Sequence, residues 1–189
     1  REARTWTLAC FACLGLAYMF LEIAFVQIFM RFLAYPVYAV SVVLAAFLIF
    51  SGRGSFFADR VSPNRKSVAT AWAVSGIAMV SLVYMVVLPS FFHAAASWSD
   101  PAKATASIFL LAPLAFCMGV PFPSGLQIIA RRPDALMPWA FGINGCASVL
   151  GASLAALAAV HLGFRVVTFM AIVLYLVAAA SVRKLAQAC

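Results

Sequence analysis

Apolar and polar positions follow one another in long blocks along this chain. Six apolar runs can be distinguished, and polar or charged segments separate them. Each run is close to the roughly 20 residues that a helix needs to cross a bilayer. We therefore predict an all-α fold, a polytopic transmembrane bundle of about six helices. The runs cover residues 6–30, 36–51 with an extension toward 57, 68–88, 107–120, 138–162 and 166–182.

The fourth run contains a helix-breaking sequence before it continues to residue 130. Pro121 and Pro123 each remove a backbone donor and clash with the preceding turn, so we expect the fourth helix to be interrupted there. Broken backbone at membrane depth is tolerated where it is buried in protein or lines a cavity. Ser124 is then a candidate N-cap for a short half-helix over residues 125–131, whose positive end suits a substrate site. The alternative is that the break lies at the inner interface and turns the chain.

Composition excludes the other broad classes of protein. Hydrophobic residues make up 66% of the 189 residues and charged residues 10%, whereas a soluble domain carries about 25% charged residues. A soluble domain of this size has too little interior to bury so much apolar surface. Disorder requires low hydrophobicity and high net charge. The chain begins without a signal-peptide pattern, so we expect residues 1–189 to form a single transmembrane domain of a longer chain.

The basic residues indicate a topology. The net charge is +8, and ten of the 13 Lys and Arg residues fall in the segments on one side, if the six runs cross alternately. The other three are Arg31, Lys103 and Arg165. The positive-inside rule therefore favours a multi-pass protein with both termini in the cytoplasm. We expect membrane lipids and other helices, of this protein or of a membrane complex, as partners, and no nucleic acid.

Glu22 is the only acidic residue inside an apolar run. Counting about 1.5 Å per residue from the start of the first run places it roughly 24 Å deep, in the outer half of the membrane. The same count brings Tyr84, Tyr38 and Ser41 near that level, and Tyr18 lies one turn earlier on the same face. A protonated Glu22 bonded to a Tyr hydroxyl is one interpretation. A site for a cation, amine or proton is the second, and exposure at an interface is the third.

The fifth helix carries a packing signal. Ala147, Gly151, Ala155 and Ala159 recur at every fourth residue, which lets helix backbones approach closely inside one bundle or across a dimer. Asn144 precedes this stripe and is either a polar clamp between helices or part of a site. Elsewhere, the glycines of the SGRGS sequence at residues 51–55 suit the C-cap of the second helix or an anion-binding nest. The five cysteines indicate no disulfide framework, and we expect no metal site.

Several stretches carry a resemblance to a known family. They are GLAYMFLEIAFVQ at residues 15–27, PVYAVSVVL at 36–44, SGRGS at 51–55, PFPSG at 121–125 and PWAFGINGCASVLG at 138–151. Their order resembles the membrane portion of polytopic bacterial proteins of the spermidine/spermine synthase-like family. These proteins join transmembrane helices to a soluble aminopropyltransferase-like domain of the Rossmann type. Ala34, Tyr35 and Arg53 depart from the family pattern.

The resemblance implies a domain of the bacterial inner membrane that anchors a soluble part and handles a cationic or lipid-soluble ligand such as a polyamine. The sequence contains no Gly-rich nucleoside loop after a strand and no pair of acidic residues for a polyamine. We therefore expect no catalytic residue and no cofactor in this chain itself.

Two other functions fit the same pattern. The first is half of a transporter, because residues 59–66, from Asp59 to Lys66, resemble the loop motif of major-facilitator transporters. The second is an accessory subunit of a respiratory or photosynthetic complex, in which small-residue faces and aromatic belts serve assembly. A Rossmann segment in the full gene, a second six-helix half, or copurification with a large complex would separate the three.

Overall fold

The computed structural model describes residues 2–130 and 136–187, and every regular element in these ranges is helical. The prediction of an all-α fold is therefore confirmed. The elements are α1 (Glu2–Leu33), α2 (Pro36–Arg60), a 3₁₀ turn (Pro63–Arg65), α3 (Lys66–Ala94), α4 (Asp100–Met118), α5 (Pro121–Ile129) and α6 (Met137–Gln187).

Five helical spans within the described ranges are long and apolar enough to cross a membrane. They are Arg4–Leu33, Pro36–Arg60, Pro63–Ala94, Asp100–Ile129 and Met137–Gln187. Such lengths match a bilayer core of about 30 Å, since an α-helix rises about 1.5 Å per residue. The composition and the helices together indicate a multi-pass membrane protein.

The longest helix, α6, folds back on itself at Gly163. This residue has φ 81° and ψ 167°, which is not helical and which glycine adopts without a steric penalty. The Arg4 guanidinium lies 4.5 Å from the ring centroid of Trp139, and the Lys184 ammonium lies 3.8 Å from that of Trp6. Both ends of α6 are thus near the start of α1. We call residues 137–162 the first arm of α6 and residues 164–187 the second arm.

The turn between the two arms lies toward the other end of α1, where the rings of Phe164 and Phe25 are 5.4 Å apart. Both arms therefore run alongside α1. This position buries α1 through much of its length, and Phe11, Leu21, Phe25 and Phe29 are completely inaccessible. The first helix is accordingly the centre of the bundle.

The small-residue stripe lies in the contact between α1 and the first arm of α6. A side chain added at Gly151 would come within 3.2 Å of the Cα atom of Leu16 and the Cβ atom of Met19. The stripe residues Ala147, Gly151, Ala155 and Ala159 are all buried. Small residues at these positions allow the two helices to approach at backbone distance.

A second close approach joins α2 to the end of α4. A Cβ atom at Gly54 would overlap the carbonyl oxygen of Phe116, and one at Gly119 would overlap that of Ser51. The expectation that residues 51–55 end the second helix is wrong, since α2 continues to Arg60. The glycine at position 54 is needed for this crossing and not for a cap.

The fourth run contains a junction between two helices, and an interruption of the membrane helix at Pro121 and Pro123 stays a prediction. Helix α4 ends at Met118, α5 begins at Pro121, and Gly119 and Val120 between them keep right-handed helical angles. Proline suits the first position of a helix because its missing N–H is not needed there. The N-cap is Val120, so the expectation that Ser124 caps the half-helix is wrong. Ser124 instead lies inside α5, and its N–H points to the Val120 carbonyl at 3.3 Å.

Polar contacts connect the end of α2 to the start of α3 and to α5. The ammonium group of Lys66 is buried and donates to the carbonyl of Ala58. It thereby satisfies a carbonyl at the C-terminal, negative end of α2. The side-chain amide of Gln127 donates to the carboxylate of Asp59 at 2.8 Å. These bonds fix one end of the bundle.

Candidate intramembrane cavity

A cavity of about 480 Å³, open on one side, lies between α1, α2, the junction of α4 with α5, and both arms of α6. Its walls are apolar apart from a few hydroxyl and amide side chains. These polar residues are Tyr18, Ser51, Ser55, Asn144, Ser148 and Tyr175. An apolar cavity with a few converging polar groups is typical of small-molecule sites.

The helix junction contributes directly to this cavity. Gly119, Phe122 and Pro123 line it, and they come from the turn between α4 and α5 and from the first turn of α5. The junction thus lies beside a cavity, and its depth in the membrane stays a prediction. The glycine at 119 also lets the junction approach Ser51 on the opposite wall.

Hydrogen bonds hold two of the polar side chains in place. The Tyr18 hydroxyl donates to the Ser51 hydroxyl oxygen at 3.4 Å, across the space between α1 and α2. The Asn144 amide donates to the backbone carbonyl of Phe11 at 3.1 Å, which joins the first arm of α6 to α1. Asn144 therefore both clamps two helices and lines the cavity.

Glu22 lies one turn beyond Tyr18 on α1 and does not itself line the cavity. It is only 7% exposed. Within residues 2–130 and 136–187, no hydrogen bond and no ion pair to Glu22 is formed. The hydroxyl of Tyr18 is directed to Ser51 instead, so the interpretation of a Glu22–tyrosine hydrogen bond does not describe this arrangement.

Tyr175 supplies a buried polar group to the cavity. It comes from the second arm of α6, is 1% exposed, and its hydroxyl finds no hydrogen-bond partner among the described residues. Buried polar groups in native proteins almost always have a partner, including water or ligand. An unpartnered phenol hydroxyl in the cavity lining, with a carboxylate one turn beyond the lining residue Tyr18, can receive a cation or a hydrogen-bond donor.

The other sequence candidates lie elsewhere. The Tyr84 hydroxyl donates to the carbonyl of Leu110 on α4, and its ring is 6.1 Å from that of Phe25. Tyr38 and Ser41 are exposed on α2, and the Ser41 hydroxyl donates to the carbonyl of Val37 at 2.9 Å. Ser124 is buried with its hydroxyl unpartnered among the described residues, but it does not line the cavity.

The structure thus brings Asn144 to the cavity, whereas Glu22, Tyr38, Ser41 and Tyr84 do not line it. Sequence reasoning missed Tyr175, Ser51 and Ser148 as a group. A tyrosine inside the sixth apolar run was a signal for Tyr175, because a phenol at membrane depth needs a polar neighbour.

Metal binding is not suggested by this arrangement of side chains. In the ranges that the structure covers, no three His, Cys, Asp or Glu side chains lie together as metal ligands would. Comparison with known proteins adds no further candidate: no family model, no curated protein and no solved structure matches this chain.

Proposed function

We propose that this chain is a membrane domain that binds a small cationic ligand in its intramembrane cavity, with Glu22 as the counter-charge. The observation that carries the proposal is a buried carboxylate, Glu22, one helical turn from the cavity residue Tyr18, together with the buried Tyr175 hydroxyl, which has no partner in the described part of the chain. A carboxylate at the centre of a membrane helix costs about 2.5 kcal/mol or more. Such residues usually face a partner or a substrate path.

The electrostatic argument favours a cation over a neutral ligand. At an effective dielectric constant of about 20, two opposite charges about 6 Å apart attract by roughly 3 kcal/mol. A ligand ammonium seated between Tyr18 and Tyr175 would therefore be held by Glu22 without direct contact. The tyrosine rings add cation–π attraction, and the Tyr175 oxygen accepts a hydrogen bond from a protonated amine.

The sequence resemblance narrows the class of ligand. A membrane domain of the spermidine synthase-like kind would anchor a soluble aminopropyltransferase-like part, and a polyamine is then a natural cation for the cavity. The apolar walls suit the methylene segments of such a ligand, and the hydroxyl and amide groups suit its amines.

The proposal includes a bundle of six membrane crossings in the bacterial inner membrane with both termini in the cytoplasm. The fold-back of α6 at Gly163 supports this count, because its 51 residues would span about 77 Å as a straight helix. Two arms of 26 and 24 residues each have the length of one crossing.

Transport of the cation is a second candidate function. It is favoured by the helix junction at Gly119 and Val120, which lines the cavity as broken helices line the substrate sites of transporters. Uptake of the ligand into proteoliposomes, as distinct from binding alone, would support this candidate.

Binding of a quaternary ammonium probe tests the proposal. The full-length protein is placed in nanodiscs and titrated with benzyltrimethylammonium, whose charge is permanent and which is no substrate for an aminopropyltransferase. We expect Glu22→Gln to bind the probe at least tenfold more weakly, because the substitution removes the counter-charge and keeps the shape. Spermidine titrated in parallel measures the preference for a polyamine.

The matched control is Asp100→Asn, which removes the same charge from an exposed position at the start of α4. It should leave probe affinity unchanged. Equal affinity of Glu22→Gln and the unmodified protein would reject the cavity as a cation site.

A further inference from the structure

A second cavity, of about 490 Å³, lies at the other end of the bundle from Lys66 and Asp59. It forms where the ends of α1 and α3 meet the beginning of α4. Three basic side chains line it, one from each helix: Arg31, His93 and Lys103. None of them belongs to the cavity around Tyr18 and Tyr175.

The wall of this cavity is aromatic. The rings of Phe32 and Phe92 stack in parallel with centroids 4.4 Å apart and an interplanar angle of 11°. The ammonium group of Lys103 lies 5.9 Å from the centroid of Phe32. An apolar surface therefore stands directly beside the cationic groups.

The charges of this cavity are not balanced by the protein. In the part of the chain that the structure describes, no carboxylate forms an ion pair with Arg31, His93 or Lys103. Arg31 and His93 lie in the last turns of α1 and α3, where a positive charge is favoured by the helix dipole. Lys103 lies in the first turn of α4, where the dipole disfavours it.

The helix dipole therefore favours two of these basic residues and disfavours Lys103, whose ammonium faces the Phe32 ring and which shares the first turn of α4 with Asp100. A bound anion would favour Lys103, because the anion is attracted by Lys103, by Arg31 and by the positive end of α4 together. Basic residues are few on the side of the membrane that the sequence predicts to be outside. Of the three Lys and Arg residues that the sequence assigns there, two line this one cavity and only Arg165 lies apart.

We infer that this cavity binds an anionic group of the phosphate type carried on an apolar body. Arg31 and Lys103 hold the anion, the His93 ring donates an N–H group, and the stacked Phe32 and Phe92 rings contact the apolar part. A phospholipid headgroup and a free phosphate share the anionic chemistry, and the experiment distinguishes them.

The test measures thermal unfolding of the full-length protein in neutral detergent. Phosphatidylglycerol, phosphatidylcholine with the same acyl chains, and inorganic phosphate are added separately. We expect phosphatidylglycerol to raise the unfolding midpoint more than phosphatidylcholine does. Lys103→Gln and Arg31→Gln should each weaken its apparent affinity roughly fivefold, as expected for one basic residue at a membrane surface.

Two further variants serve as controls. Arg165→Gln removes the same charge outside the cavity and should change nothing, and Lys103→Arg keeps the charge and should retain binding. If only inorganic phosphate stabilises the protein, and the effect depends on Lys103, the anion site is supported and its ligand is a soluble phosphate rather than a lipid. If no anion stabilises the protein, or if Arg165→Gln acts as strongly as Lys103→Gln, the inference is rejected.

Discussion

Tyr18 on α1 and Tyr175 on the second arm of α6 line the same cavity, although they lie in the first and last apolar runs of the chain. Folding back of α6 at Gly163 makes this arrangement possible, because it returns the second arm along α1. The Tyr18 hydroxyl donates to Ser51, whereas the Tyr175 hydroxyl has no hydrogen-bond partner among the described residues. The Tyr175 hydroxyl is therefore open to a ligand.

The unpartnered hydroxyl of Tyr175 should oppose stability and favour binding. We predict that Tyr175→Phe raises the free energy of unfolding by about 1 kcal/mol, since a buried polar group without a partner is removed. The same variant should bind spermidine more weakly, because the hydroxyl oxygen that accepts a hydrogen bond from a protonated amine is lost. Chemical denaturation in mixed micelles and titration with spermidine measure the two quantities.

Tyr84→Phe is the matched control for this prediction. The Tyr84 hydroxyl donates to the Leu110 carbonyl, so its removal should lower the free energy of unfolding by about 1 kcal/mol and leave spermidine binding unchanged. If both variants lose stability equally, the Tyr175 hydroxyl has a hydrogen-bond partner, and the interpretation that it is open to a ligand fails.

The sequence predicts the features that the bilayer determines better than those that depend on side-chain packing. Helical spans follow from the bilayer, whose thickness dictates the length of each apolar run whatever its neighbours are. Depth counting likewise locates Glu22 at a level along its helix. Depth counting cannot show which helices pack beside α1, because that depends on side-chain packing. Tyr38 and Ser41 are exposed in the structure, and the buried Tyr175 was not predicted.

The roles of individual glycines are also hard to predict from sequence when they depend on packing. A glycine near the end of an apolar run suggests a cap, yet Gly54 lies inside α2 and meets the backbone of α4. The stripe that includes Gly151 was recognisable because it repeats every fourth residue, whereas a single close contact leaves no periodic signal.

The close contact between α2 and α4 predicts different effects for two glycine substitutions in α2. Gly54→Ala should destabilise the bundle by roughly 1–3 kcal/mol, because its Cβ atom would overlap the carbonyl of Phe116. At Gly52 nothing lies within 4 Å, so Gly52→Ala should be neutral or stabilise α2 by up to about 1 kcal/mol. Unfolding in mixed micelles compares them, and equal effects would argue against the crossing.

The contact between α1 and the first arm of α6 is testable in the same way. Gly151→Leu should lower stability by roughly 1–3 kcal/mol, since its side chain would meet Leu16 and Met19. Gly145→Leu in the same arm meets open space and should have little effect. A Gly151 variant as stable as the Gly145 variant would show that the small-residue stripe is not a helix interface.

The proposed topology predicts which positions can be labelled from outside. In a background without native cysteines, Trp98→Cys should react with a membrane-impermeant maleimide in intact cells, and Ser62→Cys should react only after the membrane is opened. Both residues are exposed in loops, so accessibility on the protein surface does not differ. Labelling of position 62 in intact cells would overturn the assignment of both termini to the cytoplasm.

Photo-crosslinking tests the central claim, that a cation binds in the cavity lined by Tyr18 and Tyr175 and that Glu22 is its counter-charge. An aryl-azide derivative of benzyltrimethylammonium is activated on the full-length protein in nanodiscs, and the modified peptides are identified by mass spectrometry. The account predicts adducts on the peptides containing Tyr18, Ser51 and Ser148, suppressed by excess unlabelled probe and lost in Glu22→Gln. Adducts that occur only outside these peptides, or that persist equally in Glu22→Gln, would contradict it.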